Sequence, residues 1–160
     1  MWDEETGDCY IAFVGHKESV TGAFLLPNSQ ILSWSQDNTL RVWDTTTGAC
    51  LADFEGHTDS VKGAIAAGTL RILSWSKDGT LRIWDSLTAT CLQTLEGHTS
   101  SVNGAMPLPD GRILFWSDDM TLRLWTPQRG NAARFSKGTR ISFGLRCCFL
   151  MVEPSLYPMI

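Results

Sequence analysis

The sequence predicts an all-β protein assembled from small antiparallel sheets of four strands, and three observations carry that prediction. Gly-His pairs at 15–16, 56–57 and 97–98 recur with a period of 41 residues, in step with tryptophans at 43, 84 and 125. Inside each period, short β-branched or aromatic runs alternate with turn-forming residues. Hydrophobic residues at 43%, charged residues at 19% and a mean hydropathy of -0.05 place the 160-residue chain among globular sequences, apart from disordered and collagen-like ones.

Self-similarity sets the units. Residues 15–55 align without a gap on 56–96, with 21 of 41 positions identical, and 97–126 begin a third unit. The N-terminus keeps phase as well: Trp2-Asp3, Thr6-Gly7, Cys9 and Phe13 precede Trp43-Asp44, Thr47-Gly48, Cys50 and Phe54 by one period. An orphan leading strand is therefore expected at about residues 8–13.

In the first repeat the strands read as 19–25, 31–35, 39–43 and 50–54, separated by Pro27-Asn28-Ser29, Asp37-Asn38 and Thr47-Gly48. Asp78-Gly79 in the second repeat is the signal of a two-residue hairpin whose central residues take positive φ. The third repeat puts Asp119-Met120 there, and a methionine in left-handed geometry costs roughly 1 kcal/mol. That sheet is expected to be the weakest.

The stretches Ser33-Trp34-Ser35-Gln36-Asp37-Asn38-Thr39-Leu40-Arg41-Val42-Trp43-Asp44 and Ser74-Trp75-Ser76-Lys77-Asp78-Gly79-Thr80-Leu81-Arg82-Ile83-Trp84-Asp85, each preceded by Gly-His, closely resemble the WD-repeat β-propeller family over residues 2–125. One departure is systematic. Trp34, Trp75 and Trp116 stand where many members of that family have Gly or Ala, and are read as core between neighbouring blades. The resemblance implies a hydrogen-bond network in each blade: His16, Ser33, Asp37 and Trp43 in the first, and His57, Ser74, Asp78 and Trp84 in the second. In the third, His98, Asp119 and Trp125 remain, but Phe115 occupies the serine position and Thr126 ends the motif.

The expected architecture is thus all-β: a partial β-propeller of three four-stranded antiparallel blades, with an orphan N-terminal strand and an irregular C-terminal tail. Propellers close with about 4–8 blades, so a single chain should not form a ring. Residues 1–126 are read as the repeat segment and 127–160 as a non-repeat tail that leaves the third blade without its outermost strand. The tail is basic and carries Cys147-Cys148 followed by Pro154 and Pro158; it resembles nothing upstream and reads as non-homologous sequence, as a frameshift would leave, with a helix or strand covering the exposed blade edge as the alternative. A longer propeller of which this is a fragment comes first among the explanations. Self-association to close a ring, each N-terminal strand completing the third blade of the other copy, comes second.

Residues 1–125 carry 8 basic against 16 acidic residues, and such a body repels phosphate backbones, which argues against nucleic acid. No apolar run approaches the about 20 residues of a membrane helix, and the acidic start lacks the features of a leader, so no membrane partner and a cytoplasmic location are expected. Five cysteines do not suggest a disulfide framework; Cys9, Cys50 and Cys91, in phase on the fourth strand, read as small buried residues.

His, Ser and Asp occur together in every repeat, but a catalytic constellation is built once, not every 41 residues beside a tryptophan. No catalytic residue, metal site or cofactor is expected: each histidine lacks a second ligand at metal spacing, and no phosphate-binding loop is present. Function is sought instead in the loops that hold the positions differing between repeats. The loop after Gly-His and the residue before the hairpin aspartate give Lys17, Ser19, Gln36, Thr58, Ser60, Lys77, Thr99, Ser101 and Asp118 as a contact ring for a protein or peptide. In propellers similar to this one, such loops line one rim of the channel. The expected function is a non-catalytic interaction scaffold; the alternatives are a hydrolase using the channel mouth, or a non-functional truncated remnant.

Overall fold

A computed structural model describes residues 11–68, 70–125 and the backbone of 139–141. Three antiparallel sheets of four strands follow one another along the chain. The first contains β1 (Val20–Leu25), β2 (Ile31–Ser35), β3 (Leu40–Trp43) and β4 (Cys50–Phe54). The second contains β5 (Val61–Ala66), β6 (Arg71–Ser76), β7 (Leu81–Asp85) and β8 (Cys91–Leu95). The third contains β9 (Val102–Pro107), β10 (Ile113–Ser117), β11 (Leu122–Trp125) and β12 (Thr139–Ile141).

The period-2 alternation of each strand sends neighbouring residues into different cores. Ile72 joins a cluster with Leu32, Leu40, Val42 and Phe54 of the first sheet, whereas Leu73 joins one with Val102, Ile113 and Phe115 of the third. The second sheet is therefore buried on both faces. The first strands of successive sheets lie side by side, and the Thr21 hydroxyl donates to the Val61 carbonyl across the inner seam at 3.0 Å. The sheets form an unclosed arc, and its two outer faces are open. Val20 is 55% exposed where its equivalents Val61 and Val102 are both at 0%, and Trp116 at the other end is 39% exposed.

Four expectations are corrected or refined. The third sheet does have a fourth strand, because Thr139–Ile141 pairs antiparallel with β11. The place expected for a strand exchanged from a second copy is thus taken within the same chain. The orphan strand falls mostly outside the described residues, and 11–13 carry no strand; the rest of the tail also lies outside them.

The hairpins are not two-residue turns. In the second sheet the Ser76 N–H donates to Thr80, and the Gly79 N–H to the Ser76 carbonyl, closing a three-residue loop in which only the last residue has positive φ. Asn38 at 70°, Gly79 at 80° and Met120 at 62° hold that position, so the methionine is forced into the left-handed region as expected.

The tryptophans of the second strands are not deep core. Trp34 and Trp75 are half-buried and Trp116 is exposed. Each sits opposite a glycine of the first strand and lies across it. A Cβ on Gly22, Gly63 or Gly104 would come within 2.3, 2.2 or 2.1 Å of the indole. Cys50 and Cys91 are exposed free thiols rather than buried fillers, because alternate positions of the outermost strand face away from the core; Cys9 lies outside the described residues.

Candidate functional site

The Gly-His loops and the hairpins between second and third strands converge on one rim of the arc, and a polar clasp beneath them fixes their shape. In the first sheet the His16 Nδ1–H donates to Asp37 at 2.9 Å, the Ser33 hydroxyl meets His16 Nε2 at 2.8 Å, and the Trp43 indole N–H donates to the same hydroxyl at 2.7 Å. With the serine oxygen already accepting from the indole, its own proton is left to donate to Nε2, which directs the Nδ1–H at the aspartate. The second sheet repeats it: His57 to Asp78 at 2.7 Å, Ser74 to His57 at 2.8 Å and Trp84 to Ser74 at 2.8 Å.

Burial works to raise the pKa of each hairpin aspartate, yet the hydrogen bonds it accepts outweigh that cost. For Asp37 these come from the Lys17 N–H, Thr39 and His16, and the carboxyl is held far below the usual carboxylate range. Asp78 and Asp119 are held low in the same way. The threonine two residues on was not singled out in the sequence. Thr39, Thr80 and Thr121 each bond the aspartate through hydroxyl and N–H, and their repetition at one period was the signal available.

The third clasp is broken where the sequence placed the break. His98 still donates to Asp119 at 2.8 Å, but Phe115 replaces the serine, and His98 Nε2 is buried with no hydrogen-bond partner among the described residues. Burial lowers the His98 pKa, against the opposing pull of Asp119. Trp125 stacks on Phe115 at 6.3 Å.

Above the clasps, the backbone of each hairpin is tied to the start of the first strand. The N–H groups of Gln36, Lys77 and Asp118 donate to the carbonyls of Ser19, Ser60 and Ser101 at 2.9, 3.0 and 3.0 Å. The ring residues are thereby brought together in pairs within each sheet. Lys17, Ser19, Gln36, Thr58, Lys77, Thr99 and Asp118 are exposed, while Ser60 and Ser101 are half-buried and the Ser101 hydroxyl is buried. Asn103 donates to Asp118 and fixes its carboxylate on the rim. Between the first hairpin and the second Gly-His loop lies a polar dip of about 230 Å³ that includes Lys17, Asp37, Arg41 and Glu55. Among the described residues no group of three or more His, Cys, Asp or Glu side chains could hold a metal ion.

Repeated clasps joined to a Gly-His loop and a Trp-ended third strand decide the family. The chain belongs to the WD-repeat family. The family described as "WD domain, G-beta repeat" matches residues 7–44, 48–85 and 89–126, the second and third units starting just before β4 and β8, the outermost strands of the preceding sheets. Among solved structures the chain is similar to the crystal structure of the WD40 beta propeller domain of Doa1, with 29% identity and a TM-score of 0.67. That match covers 84% of this chain and 45% of the other, so the chain spans less than half of that structure. No curated protein matches it in sequence. WD-repeat propellers are in general non-catalytic protein-interaction scaffolds, and this chain has that fold.

Proposed function

We propose that this WD-repeat arc is a non-catalytic platform that engages a protein or peptide through the rim of Gly-His loops and hairpins. One observation carries the reading: the N–H groups of Lys17, Thr58 and Thr99 all donate to hairpin aspartates at 2.8–3.1 Å, while their side chains, one lysine and two threonines, are exposed. The backbone is fixed and the chemistry is free to vary, as a recognition surface needs. The exposed thiols of Cys50 and Cys91 suit a reducing compartment, the cytoplasm. The excess of acid over base in the repeats disfavours nucleic acid, and no helix among the described residues is long and apolar enough to cross a membrane.

Photo-crosslinking residues placed at Gln36 and Lys77, with Thr46 on the opposite rim as control, test this. Partner adducts should form at both positions, and those from the residue at Gln36 should be lost when it is combined with Lys77→Glu. Adducts confined to Thr46 would overturn the reading.

The open faces favour a further proposal, that the arc is part of a longer propeller. Val61 and Val102 are buried by the preceding blade, and the 55% exposure of Val20 marks the face where another blade fits. A second copy of the chain would present the same complementary surface. Light scattering on the isolated chain separates these: a monomer supports further blades in one polypeptide, and a discrete dimer that Val20→Asp dissociates supports the second copy.

A further inference from the structure

A cleft of about 410 Å³ opens between the first two sheets at the end of the arc opposite the clasps. Both of its walls belong to complete sheets, so it is not a product of the open faces. Its floor is apolar, formed by Leu26, Val42 and Ile72, and its mouth carries Leu51, Leu70 and Leu87 at 50%, 50% and 74% exposure. Exposed leucines gathered at one concave site need a reason, because scattered single ones are the ordinary state of a surface.

Comparing the repeats isolates the features that make this cleft. Leu70 and Leu87 stand where the first repeat has Ser29 and Thr46 and the third has Gly111 and Gln128. Gly68 stands where the other repeats have Pro27 and Pro109, and a Cβ there would touch nothing within 4 Å, so the mouth is open on that side. Arg71 lines the same cleft and makes no ion pair among the described residues, although it helps hold the exposed carboxyl of Asp85 low. Its counterpart Arg112 is tied to Asp110 at 2.6 Å, and the second repeat has Thr69 in place of that aspartate. One repeat thus combines two added leucines, a widened mouth and a released guanidinium.

We propose that this cleft is a second binding site, distinct from the rim, for a short peptide segment carrying a bulky apolar side chain next to a carboxylate. The apolar side chain fills the space between Leu26, Ile72 and Leu87, and the carboxylate bonds to the Arg71 guanidinium. A guanidinium beside an apolar floor selects this combination, because the fork of N–H donors matches a carboxylate in two places while the floor rewards only apolar area.

The test uses a fluorescein-labelled peptide, acetyl-Ala-Asp-Leu-Phe-Glu-amide, and its neutral counterpart with Asn and Gln, titrated by anisotropy into the whole chain. The acidic peptide should bind about tenfold more tightly than the neutral one. Arg71→Gln should abolish that preference and Leu87→Ser should weaken both peptides; each change is at an exposed position and should leave the circular dichroism spectrum unchanged. Lys77→Glu, on the opposite rim, should change neither, which separates this site from the rim reading. Equal binding of the two peptides, no measurable binding, or an acid preference that survives Arg71→Gln would each overturn the proposal.

Discussion

Phe115 meets the imidazole of His98 edge-on with ring centroids 4.8 Å apart, and so occupies the side from which His16 and His57 receive a serine hydroxyl. The third clasp keeps its aspartate and loses its serine. Its histidine is buried against a hydrocarbon ring, where an added proton is poorly solvated.

Acid should therefore loosen the third sheet. Burial sets the folded-state pKa of His98 below the ordinary value of 6.5, outweighing the pull of Asp119. Between those two values the unfolded chain binds more protons than the folded one, so stability falls as pH drops from 6.5 into that window. The low folded-state pKa of Asp119 adds a second loss as pH falls further through the carboxylate range. Amide hydrogen exchange across pH 7 to 5, corrected for intrinsic rates, should show protection falling in β10 and β11 before β6 and β7. Equal loss in the two sheets would contradict this account.

The intact clasp of the second sheet permits a direct measure of what the serine contributes. Ser74→Ala strands two buried groups, His57 Nε2 and the Trp84 indole N–H, each of which now finds the hydroxyl at 2.8 Å. Stranding a buried polar group costs about 1–3 kcal/mol, so a loss of about 2–4 kcal/mol is expected in urea unfolding. Ser60→Ala, whose hydroxyl makes no hydrogen bond in the clasp, should change stability by less than about 0.5 kcal/mol.

Much of this was legible in the sequence because the 41-residue period exposes every structural requirement several times over. His16, Ser33, Asp37 and Trp43 could be grouped since their counterparts recur together, and the substitution of Phe115 showed where the group would fail. Thr39 escaped notice although it recurs equally well, because a threonine beside a turn has an ordinary reading as a strand residue. Trp34 was legible in part: it packs against the cluster between the first two sheets, as read, but stays half-buried because its indole also lies across Gly22 of its own sheet. Thr139–Ile141 could not be found from periodicity, since pairing with an edge strand needs backbone groups and imposes little on residue type.

Backbone strain gives a pair of opposite predictions at one hairpin position. Met120 has φ of 62° and is 94% exposed, so Met120→Gly removes strain and little packing. A gain of about 0.5–1 kcal/mol is expected. Gly79 has φ of 80°, and a Cβ there would lie 3.2 Å from the His98 carbonyl and 3.3 Å from that of Ser100. Gly79→Ala should therefore lose about 1–2 kcal/mol. Thermal unfolding of both variants, followed by tryptophan fluorescence, checks the sign of each.

The tryptophans lying across glycines give a prediction that depends on their surroundings. A Cβ on Gly63 would sit 2.2 Å from the Trp75 indole, and Trp75 is packed against the core between the second and third sheets. The ring cannot move away cheaply, and Gly63→Ala should cost about 1–3 kcal/mol. Gly104 faces a contact of 2.1 Å from Trp116, but that indole is 39% exposed on the open face of the arc and has room to swing outward. Gly104→Ala should thus cost clearly less than Gly63→Ala, despite the shorter contact. Combining Gly63→Ala with Trp75→Ala removes the clash, so the two losses should fall short of additive in a double-mutant cycle. Additive losses, or equal costs at Gly63 and Gly104, would show that the glycines serve the strand backbone rather than the rings above them.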